Sequence, residues 1–282
     1  MNHIYLNLKR FDITKELAGE NSITQMEKWA ETIVKGIDKG LDKYKGRDIE
    51  FGIYFPEAHL ISAAAAQKKD SLISVGSQSV YRDDAAVGGN FGAFTTNLTA
   101  NAAKLMGCTN TMIGHCEERK NYTEIFEAAG ANGFENVNVL LNKSVKQAIK
   151  SGLRVLYCIG EKAEEQQRWQ EVLKEQIELG LNGVDKDKVC IAYEPVWAIG
   201  PGKTPPDKEY ITKIAKYVKQ ITGGMDVVYG GGLKQANAEM LASIDEIDGG
   251  LIALTRFTGD IGFYPDEYLE IVDLYLNYNK GE

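Results

Sequence analysis

Short apolar runs alternate with longer amphipathic segments along the whole chain. The apolar runs predict buried strands at Ile4–Leu6, Phe51–Tyr54, Leu72–Val75, Thr111–Ile113, Arg154–Ile159, Val189–Tyr193, Met225–Tyr229 and Leu251–Leu254. The segments between and after them have helical periodicity, which predicts helices at Ile23–Leu41, Ala58–Ala66, Leu98–Leu105, Val137–Ile149, Lys162–Leu179, Asp207–Ile221, Gln235–Ile244 and Asp266–Leu276. Eight strands, each followed by a helix, are typical of an α/β fold with a parallel sheet.

Two architectures share this alternation, a closed (β/α)8 barrel and a doubly wound open sheet. In a barrel the chemistry gathers at the carboxyl ends of the strands. The predicted strand ends carry polar residues or glycines, namely Asn7, Lys9, Gln78, His115, Glu161, Glu194, Gly230–Gly232 and Arg256. This placement favours the (β/α)8 TIM barrel. Since no Pro/Gly/Ser-rich linker divides the chain, we predict a single domain over residues 1–282. The segment Lys120–Asn136 is predicted to add a turn of helix and a loop.

Composition excludes several classes of function. The net charge of −8 argues against nucleic acid as a partner, because a phosphate backbone requires clustered Lys and Arg. No apolar run approaches the roughly 20 residues that span a bilayer, and Met1–Ile4 does not begin a signal-peptide pattern, so a cytoplasmic protein is expected. The four cysteines and three histidines show no metal-ligand spacing. We therefore expect reduced thiols, no metal and no cofactor.

Three residues near the first and fourth strands carry candidate chemistry. Asn7 and Lys9 point the same way if the first strand continues its alternation, and an ammonium there would attract an anion and polarise an oxygen. The alternative is a solvated surface lysine. His115 follows the fourth strand, and a helix beginning near Cys116–Arg119 would place its ring by the positive end of a helix dipole, which disfavours the imidazolium. Taken alone, a single histidine is more often structural.

Glu194 ends the sixth strand and precedes Pro195 and a glycine-rich turn. A carboxylate in this position is a base attached to a hinge, although a Glu before an ordinary loop is the simpler interpretation. Trp197 could pack over the site, and Gly200 and Gly202 permit backbone conformations that present N–H groups to an anion. Gly230–Gly232 follows the seventh strand, where barrels commonly bind phosphate.

Taken together, these strings resemble the triosephosphate isomerase family over nearly the whole chain. The resemblance is carried by "NLK" (Asn7–Lys9), "GAFTTN" (Gly92–Asn97), "IGHCEER" (Ile113–Arg119), "CIGE" (Cys158–Glu161) and "YEPVWAIGPGKTP" (Tyr193–Pro205). It implies a cofactor-free aldose–ketose isomerase of a small phosphorylated sugar. Glu194 would be the base, His115 a neutral electrophile and Lys9 its electrostatic partner, with Asn7 and Glu117 in support. The implied substrate-binding residues are Gly200, Gly231, Gly232, Leu254 and Thr255. The resemblance also implies a homodimer through the 88–97 loop, with Thr95 bracing the partner's site.

Departures from the family pattern lie mainly at the phosphate end. Gly232 stands where the family has a serine, and Ala253 and Leu254 stand where it has two glycines. Thr255 or Arg256 could supply replacement donors, or Arg256 could form a salt bridge at the rim.

Other departures lie on the dimer side of the site. Ser79 follows Gln78 in place of the family's asparagine, and Asn97 and Glu118 replace a charged pair. Three functions stay open: a triosephosphate isomerase, an isomerase of another phosphorylated ketose such as an erythrulose phosphate, and a catalytically silent barrel.

Overall fold

The computed structural model describes residues 1–200 and 202–278 and contains a closed barrel of eight parallel strands in chain order. The strands are β1 (Asn2–Asn7), β2 (Ile49–Phe55), β3 (Ile73–Gln78), β4 (Asn110–Ile113), β5 (Arg154–Ile159), β6 (Val189–Tyr193), β7 (Val227–Tyr229) and β8 (Gly249–Ile252). The α-helices are α1 (Met26–Asp38), α2 (Leu60–Ala66), α3 (Ala100–Leu105), α4 (Cys116–Ala128), α5 (Gly133–Lys150), α6 (Trp169–Gly180), α7 (Lys208–Thr222), α8 (Ala238–Ala242) and α9 (Pro265–Leu276). Short 3-10 helices span Lys15–Leu17, Gly40–Tyr44, Glu57–His59, Ala163–Arg168, Lys186–Lys188, Val196–Ala198 and Gln235–Asn237.

Pairing between the first and last strands closes the sheet and confirms the barrel over the open sheet. The register of β1 and β8 runs from His3 opposite Gly249 to Leu6 opposite Ile252. A Cβ on Gly249 would lie 1.8 Å from the carbonyl oxygen of His3, so the close approach of the two strands requires glycine. The prediction placed the last strand at Leu251–Leu254, two residues too far along the chain. The real strand begins with two glycines, which carry no apolar signal, and ends before Ala253.

Apolar side chains fill both the interior of the barrel and the layer between barrel and helices. The interior cluster consists of Tyr5, Tyr54, Met112, Leu156, Cys158, Cys190, Ala192, Val228 and Leu251. Helix α1 buries Trp29, Ile33 and Ile37 at helical spacing against the outer surface of the strands. Burying each such side chain stabilises the fold by roughly 1.5–3 kcal/mol. Within the described ranges, no helix has the length and apolar character to cross a membrane.

The segment Lys120–Asn136 is mostly helical, which corrects the expectation of one extra turn and a loop. Helix α4 continues to Ala128 and none of its side chains is fully buried, so its sequence gives little amphipathic signal. Gly130 turns the chain at φ +69°, and Asn132 then caps α5 by accepting the N–H of Phe134 at 3.0 Å. Two successive helices therefore connect β4 and β5.

At the amino end of the barrel, a polar network joins strands β1, β2 and β5 with the residue before β7. His3 is buried, and its ring nitrogens lie 2.9 Å from Glu50 and 2.8 Å from Asp226. Tyr5 donates its hydroxyl to Glu50 at 2.8 Å, and Arg154 lies 3.3 Å from the same carboxylate. Burial alone raises the pKa of Glu50, but His3, Arg154 and Tyr5 together hold it below its ordinary value. This carboxylate therefore stabilises the closed barrel while it is ionised.

Glu50→Gln is expected to lower the free energy of unfolding at neutral pH by about 1–3 kcal/mol, because the buried donors lose a charged acceptor. Since the pKa of Glu50 is lowered on folding, its contribution is full above the ordinary value of 4.5 and is lost as the pH falls through the folded value. Denaturant titrations should show that the difference in free energy of unfolding between the variant and the parent protein becomes smaller at acid pH. Glu124→Gln, at an exposed ion pair with Lys120, is the control and should change stability by no more than about 0.5 kcal/mol. An equal loss for both variants would contradict the network's role.

Candidate active site

A cleft of about 350 Å³ opens at the carboxyl end of the barrel. It is lined by Asn7, Lys9, Gln78, Ser79, Met112, His115, Glu117, Glu118 and Asn121. The fold thus brings together four of the five predicted catalytic residues, and the fifth, Glu194, contacts His115 directly. The five predicted substrate-binding residues, Gly200, Gly231, Gly232, Leu254 and Thr255, do not line this cleft.

Lys9 reaches the cleft through a strained turn and not through a continued strand, which corrects the predicted alternation. β1 ends at Asn7, and Lys9 adopts a left-handed φ of +41°, which costs about 1–3 kcal/mol in a residue other than glycine. The N–H of Lys9 donates to Oδ1 of Asn7 at 3.1 Å, and Gln78 donates to the carbonyl of Lys9 at 3.1 Å. The Nζ of Lys9 donates to Oε1 of Glu117 at 2.7 Å. These contacts hold the ammonium at the mouth of the barrel.

His115 is the N-cap of α4, which confirms the predicted helix start at Cys116. Its Nδ1 accepts the N–H of Glu117 at 3.3 Å, so we assign the ring proton to Nε2. Nε2 lies 3.2 Å from Oε1 of Glu194. The neutral ring therefore presents an N–H donor beside a carboxylate.

Glu194 directly follows β6 and is only 1% exposed. Its Oε2 accepts the N–H of Cys116 at 2.9 Å. Oε1 makes no hydrogen bond, because the nearby Nε2 of His115 is not aligned with it. Burial raises the pKa of Glu194, and the offsetting effects of His115, the Cys116 N–H, Lys9 and Arg119 do not reverse it. The ionised carboxylate is thus a stronger base than an ordinary Glu.

The segment after Glu194 is anchored by the buried carboxylate of Glu161. In the sequence Glu161 was noted only as a polar residue at a strand end. The indole of Trp197 donates to Oε1 of Glu161 at 2.8 Å, and the hydroxyls of Tyr193 and Tyr210 donate to the same oxygen at 3.0 Å each. Trp197 was predicted to pack over the site, whereas its polar edge holds the segment to Glu161. Tyr193 and Tyr210 gave no sequence signal for this role, since it depends on three elements meeting at one oxygen.

Glycines give this part of the mouth its backbone freedom. Gly200 and Gly202 have φ values of +117° and +74° and are exposed, as the predicted turn requires; Pro201 lies outside the described residues. A Cβ on Gly231 would lie 2.3 Å from the hydroxyl of Tyr229 and 2.9 Å from Pro195, so that position requires glycine. Gly232 has a φ of +99° with open space around its missing Cβ.

The loop after β8 folds into a small hairpin that uses its own polar groups. The N–H of Thr255 donates to the carbonyl of Gly262, and its hydroxyl donates to Glu267 at 2.9 Å and accepts the N–H of Tyr264. Arg256 pairs with Glu267 at 2.7 Å and stacks on the ring of Tyr264. Of the alternatives for Arg256, the structure shows the salt bridge at the rim. The half-buried Leu254 precedes this hairpin.

Ser79 and Glu118 join the loop after β3 to the loop that carries His115. Ser79, at a left-handed φ of +74°, donates its hydroxyl to Oε1 of Glu118. Oε2 of Glu118 accepts the N–H of Gly114 at 2.6 Å. Burial raises the pKa of Glu118, and the two hydrogen bonds only partly offset this. The sequence marked both residues as departures from the family pattern, but their pairing is a product of the fold.

Comparisons with known proteins identify the family. The family model described as triosephosphate isomerase matches residues 21–261. Triosephosphate isomerase of Synechococcus sp. (strain CC9902) is 33% identical over 228 residues, which are 79% of this chain and 82% of that protein. The enzyme of Syntrophotalea carbinolica is 30% identical over 269 residues, with 91% and 96% coverage. The crystal structure of triosephosphate isomerase from Bartonella henselae superposes with a TM-score of 0.71 over 97% of this chain and 98% of that one. Its 24% identity supports the fold alone.

The barrel and these matches define the class of protein as a (β/α)8-barrel isomerase. The chain belongs to the triosephosphate isomerase family.

Ser79→Ala is expected to lower kcat by roughly tenfold with little change in KM, because the loop that holds His115 loses its tie to β3 and small misplacements are costly. Glu118→Gln should act in the same direction. Steady-state kinetics of both variants and of the double variant would show effects well short of additive, with a coupling of about 0.5–3 kcal/mol. Full activity in either single variant would contradict the positioning role.

Proposed function

We propose that the protein interconverts dihydroxyacetone phosphate and glyceraldehyde 3-phosphate, with Glu194, His115 and Lys9 as the reacting groups. The observation that carries this assignment is the unpartnered Oε1 of a buried Glu194, 3.2 Å from the N–H-bearing nitrogen of His115. A base in this setting has a proton donor beside it and little water around it. The family to which the chain belongs supports the reaction class.

In this mechanism Oε1 of Glu194 removes a proton from the hydroxyl-bearing carbon next to the carbonyl of the substrate. The electron pair of that C–H bond forms the enediolate double bond, and negative charge develops on the former carbonyl oxygen. Nε2–H of His115 and the ammonium of Lys9 stabilise that charge. Nε2 of His115 gives its proton to the former carbonyl oxygen and takes the proton of the neighbouring hydroxyl, while Glu194 returns its proton to the former carbonyl carbon. A Glu base with a neutral histidine is the known pattern of this family.

We assign Asn7 and Glu117 to holding the ammonium of Lys9 in place. Asn7 fixes the turn that carries Lys9, and Glu117 binds the ammonium directly. Burial alone raises the pKa of Glu117, but the hydrogen bond and charge of Lys9 lower it overall. Glu117 thus remains an anion beside Lys9 and its backbone N–H fixes the tautomer of His115.

For the phosphate we propose the backbone N–H groups of Gly200, Gly231, Gly232 and Leu254 as ligands. The glycines permit close approach of an anion to the backbone. The polar groups of Thr255 are engaged within the hairpin, so Thr255 contributes through the shape of that loop. The hairpin after β8 is the observation that supports a second candidate substrate, a longer ketose phosphate such as an erythrulose phosphate.

The same proposal includes a homodimer formed through the 88–97 loop, in which Thr95 braces the partner's site. Phe91 projects from this loop with 94% of its surface exposed, and Val87 beside the loop is fully exposed. Large apolar side chains exposed on one loop are typical of an interaction surface. We further propose that the whole chain is one domain and works in the cytoplasm.

Glu194→Asp should lower kcat by well over roughly tenfold with the triose phosphates, because shortening the side chain moves the base away from the carbon acid. Coupled assays with glyceraldehyde 3-phosphate and with an erythrulose phosphate identify the substrate from the larger kcat/KM. Parental activity of the Asp variant would exclude Glu194 as the base. A parent protein inactive on both sugars would instead support the silent barrel.

Phe91→Asp should convert the protein from dimer to monomer and reduce its activity, because the carboxylate cannot be buried in an apolar interface. Light scattering gives the mass of the parent and the variant. Val139→Asp, at a 42% exposed position on α5, is the matched control and should stay dimeric. A fully active parental monomer would remove the inference.

A further inference from the structure

His115, Cys116 and Glu194 form a cluster of three potential metal ligands at the candidate active site. One ligand atom from each residue lies within 4.8 Å of the others. Sγ of Cys116 is 3.9 Å from both ring nitrogens of His115, and Nε2 of His115 is 3.2 Å from Oε1 of Glu194. Imidazole nitrogen, thiolate sulfur and carboxylate oxygen are the ligand types of zinc sites in proteins.

The spacing of these atoms is close to that of a tetrahedral zinc site. With Zn–N, Zn–O and Zn–S bonds of about 2.0–2.3 Å, neighbouring ligand atoms lie roughly 3.3–3.6 Å apart. The His–Glu separation of 3.2 Å already matches, whereas the Cys–His separation of 3.9 Å is longer, so the thiol must move closer to complete the site. A fourth position would face the cleft, since His115 lines it.

The carboxylate supplies an independent indication of a ligand. Glu194 is 1% exposed, and its Oε1 has no hydrogen-bond partner although it points toward His115. A buried carboxylate oxygen without a partner gains energy from a cation or a donor placed against it. We propose that His115, Cys116 and Glu194 bind one thiophilic divalent cation of the zinc and cadmium type, and that the bound ion blocks catalysis.

Two costs limit the affinity. The thiol of Cys116 must lose its proton to solvent, and burial, then the charge of Glu194, raises its pKa. Coordination through Nε2 also requires the imidazole proton to move to Nδ1, which breaks the 3.3 Å hydrogen bond from the Glu117 N–H. The fixed approach of Glu194 and His115 offsets part of these costs. A magnesium ion gains little here, because it prefers an all-oxygen octahedral site.

Inhibition follows from which atoms the ion would occupy. Oε1 of Glu194 and Nε2 of His115 are the atoms assigned to proton transfer and to stabilisation of the enediolate. This part of the inference rests on the proposed function, whereas binding of the ion does not. The sequence alone did not indicate this cluster, because Glu194 lies 78 residues from Cys116.

The test uses the intact protein with cadmium and zinc chlorides as probes. Titration with Cd²⁺ should produce one equivalent of thiolate-to-cadmium ultraviolet absorption, and calorimetry with Zn²⁺ should give the same stoichiometry. Cys116→Ser should abolish the absorption and weaken binding by about 100-fold or more. Cys108→Ala removes a buried thiol elsewhere in the fold and should leave both signals intact. Isomerase activity, expressed relative to each variant's own metal-free rate, should fall with occupancy, recover with a chelator, and be unaffected by Mg²⁺.

Absence of stoichiometric binding, or binding and inhibition unchanged in Cys116→Ser, would overturn the proposal. Binding that depends on Cys116 but leaves isomerase activity unaltered would overturn the inhibitory part. If the protein binds the ion through Cys116 yet lacks isomerase activity altogether, the metal site stands and the proposed function fails.

Discussion

The pairing of β1 with β8 is the constraint on which the rest of the molecule depends. Once the sheet closes, the carboxyl ends of all eight strands lie on one rim, and residues far apart in sequence share one cleft. Glycine at position 249 permits this closure, because any side chain there would collide with the backbone of β1. The polar network around His3 stabilises the opposite end of the same strands. The groups proposed for catalysis therefore lie at one end of strands whose other end this network ties together.

The amino end of α4 organises the reacting groups through backbone donors. The N–H of Cys116 holds one oxygen of Glu194, and the N–H of Glu117 holds Nδ1 of His115. An acid and an imidazole are thus oriented by successive peptide groups of one helix turn, which cannot move independently. The remaining oxygen of Glu194 is left buried and without a hydrogen bond, which raises its energy and makes it available to a proton or a cation.

The loops at the carboxyl end of the barrel are held by different contacts from those at its amino end. The segment after Glu194 is held by the hydrogen bond from Trp197 to Glu161 and by edge-on packing of Trp197 on Tyr210, whereas the hairpin after β8 is tied together by Thr255, Arg256 and Glu267. The hydrogen bond to the buried Glu161 is costly to break, whereas the exposed glycines at 200 and 202 permit the backbone to turn. The backbone after Glu194 is therefore fixed at Trp197 and can turn at Gly200 and Gly202.

The sequence by itself determined the eight strand–helix units and favoured the closed barrel, because apolar periodicity and strand-end polarity are local signals. It also indicated the residues with candidate chemistry, in part through their resemblance to a known family. Strand β8 was misplaced because glycine carries no apolar signal, and the length of α4 was underestimated because none of its side chains is fully buried. Only the tertiary structure decided that Lys9 reaches the cleft through a left-handed turn, that Arg256 pairs with Glu267, and that Ser79 meets Glu118. It also decided that Cys116 stands beside Glu194. Contacts of this kind depend on distances between strand ends, which no local pattern encodes.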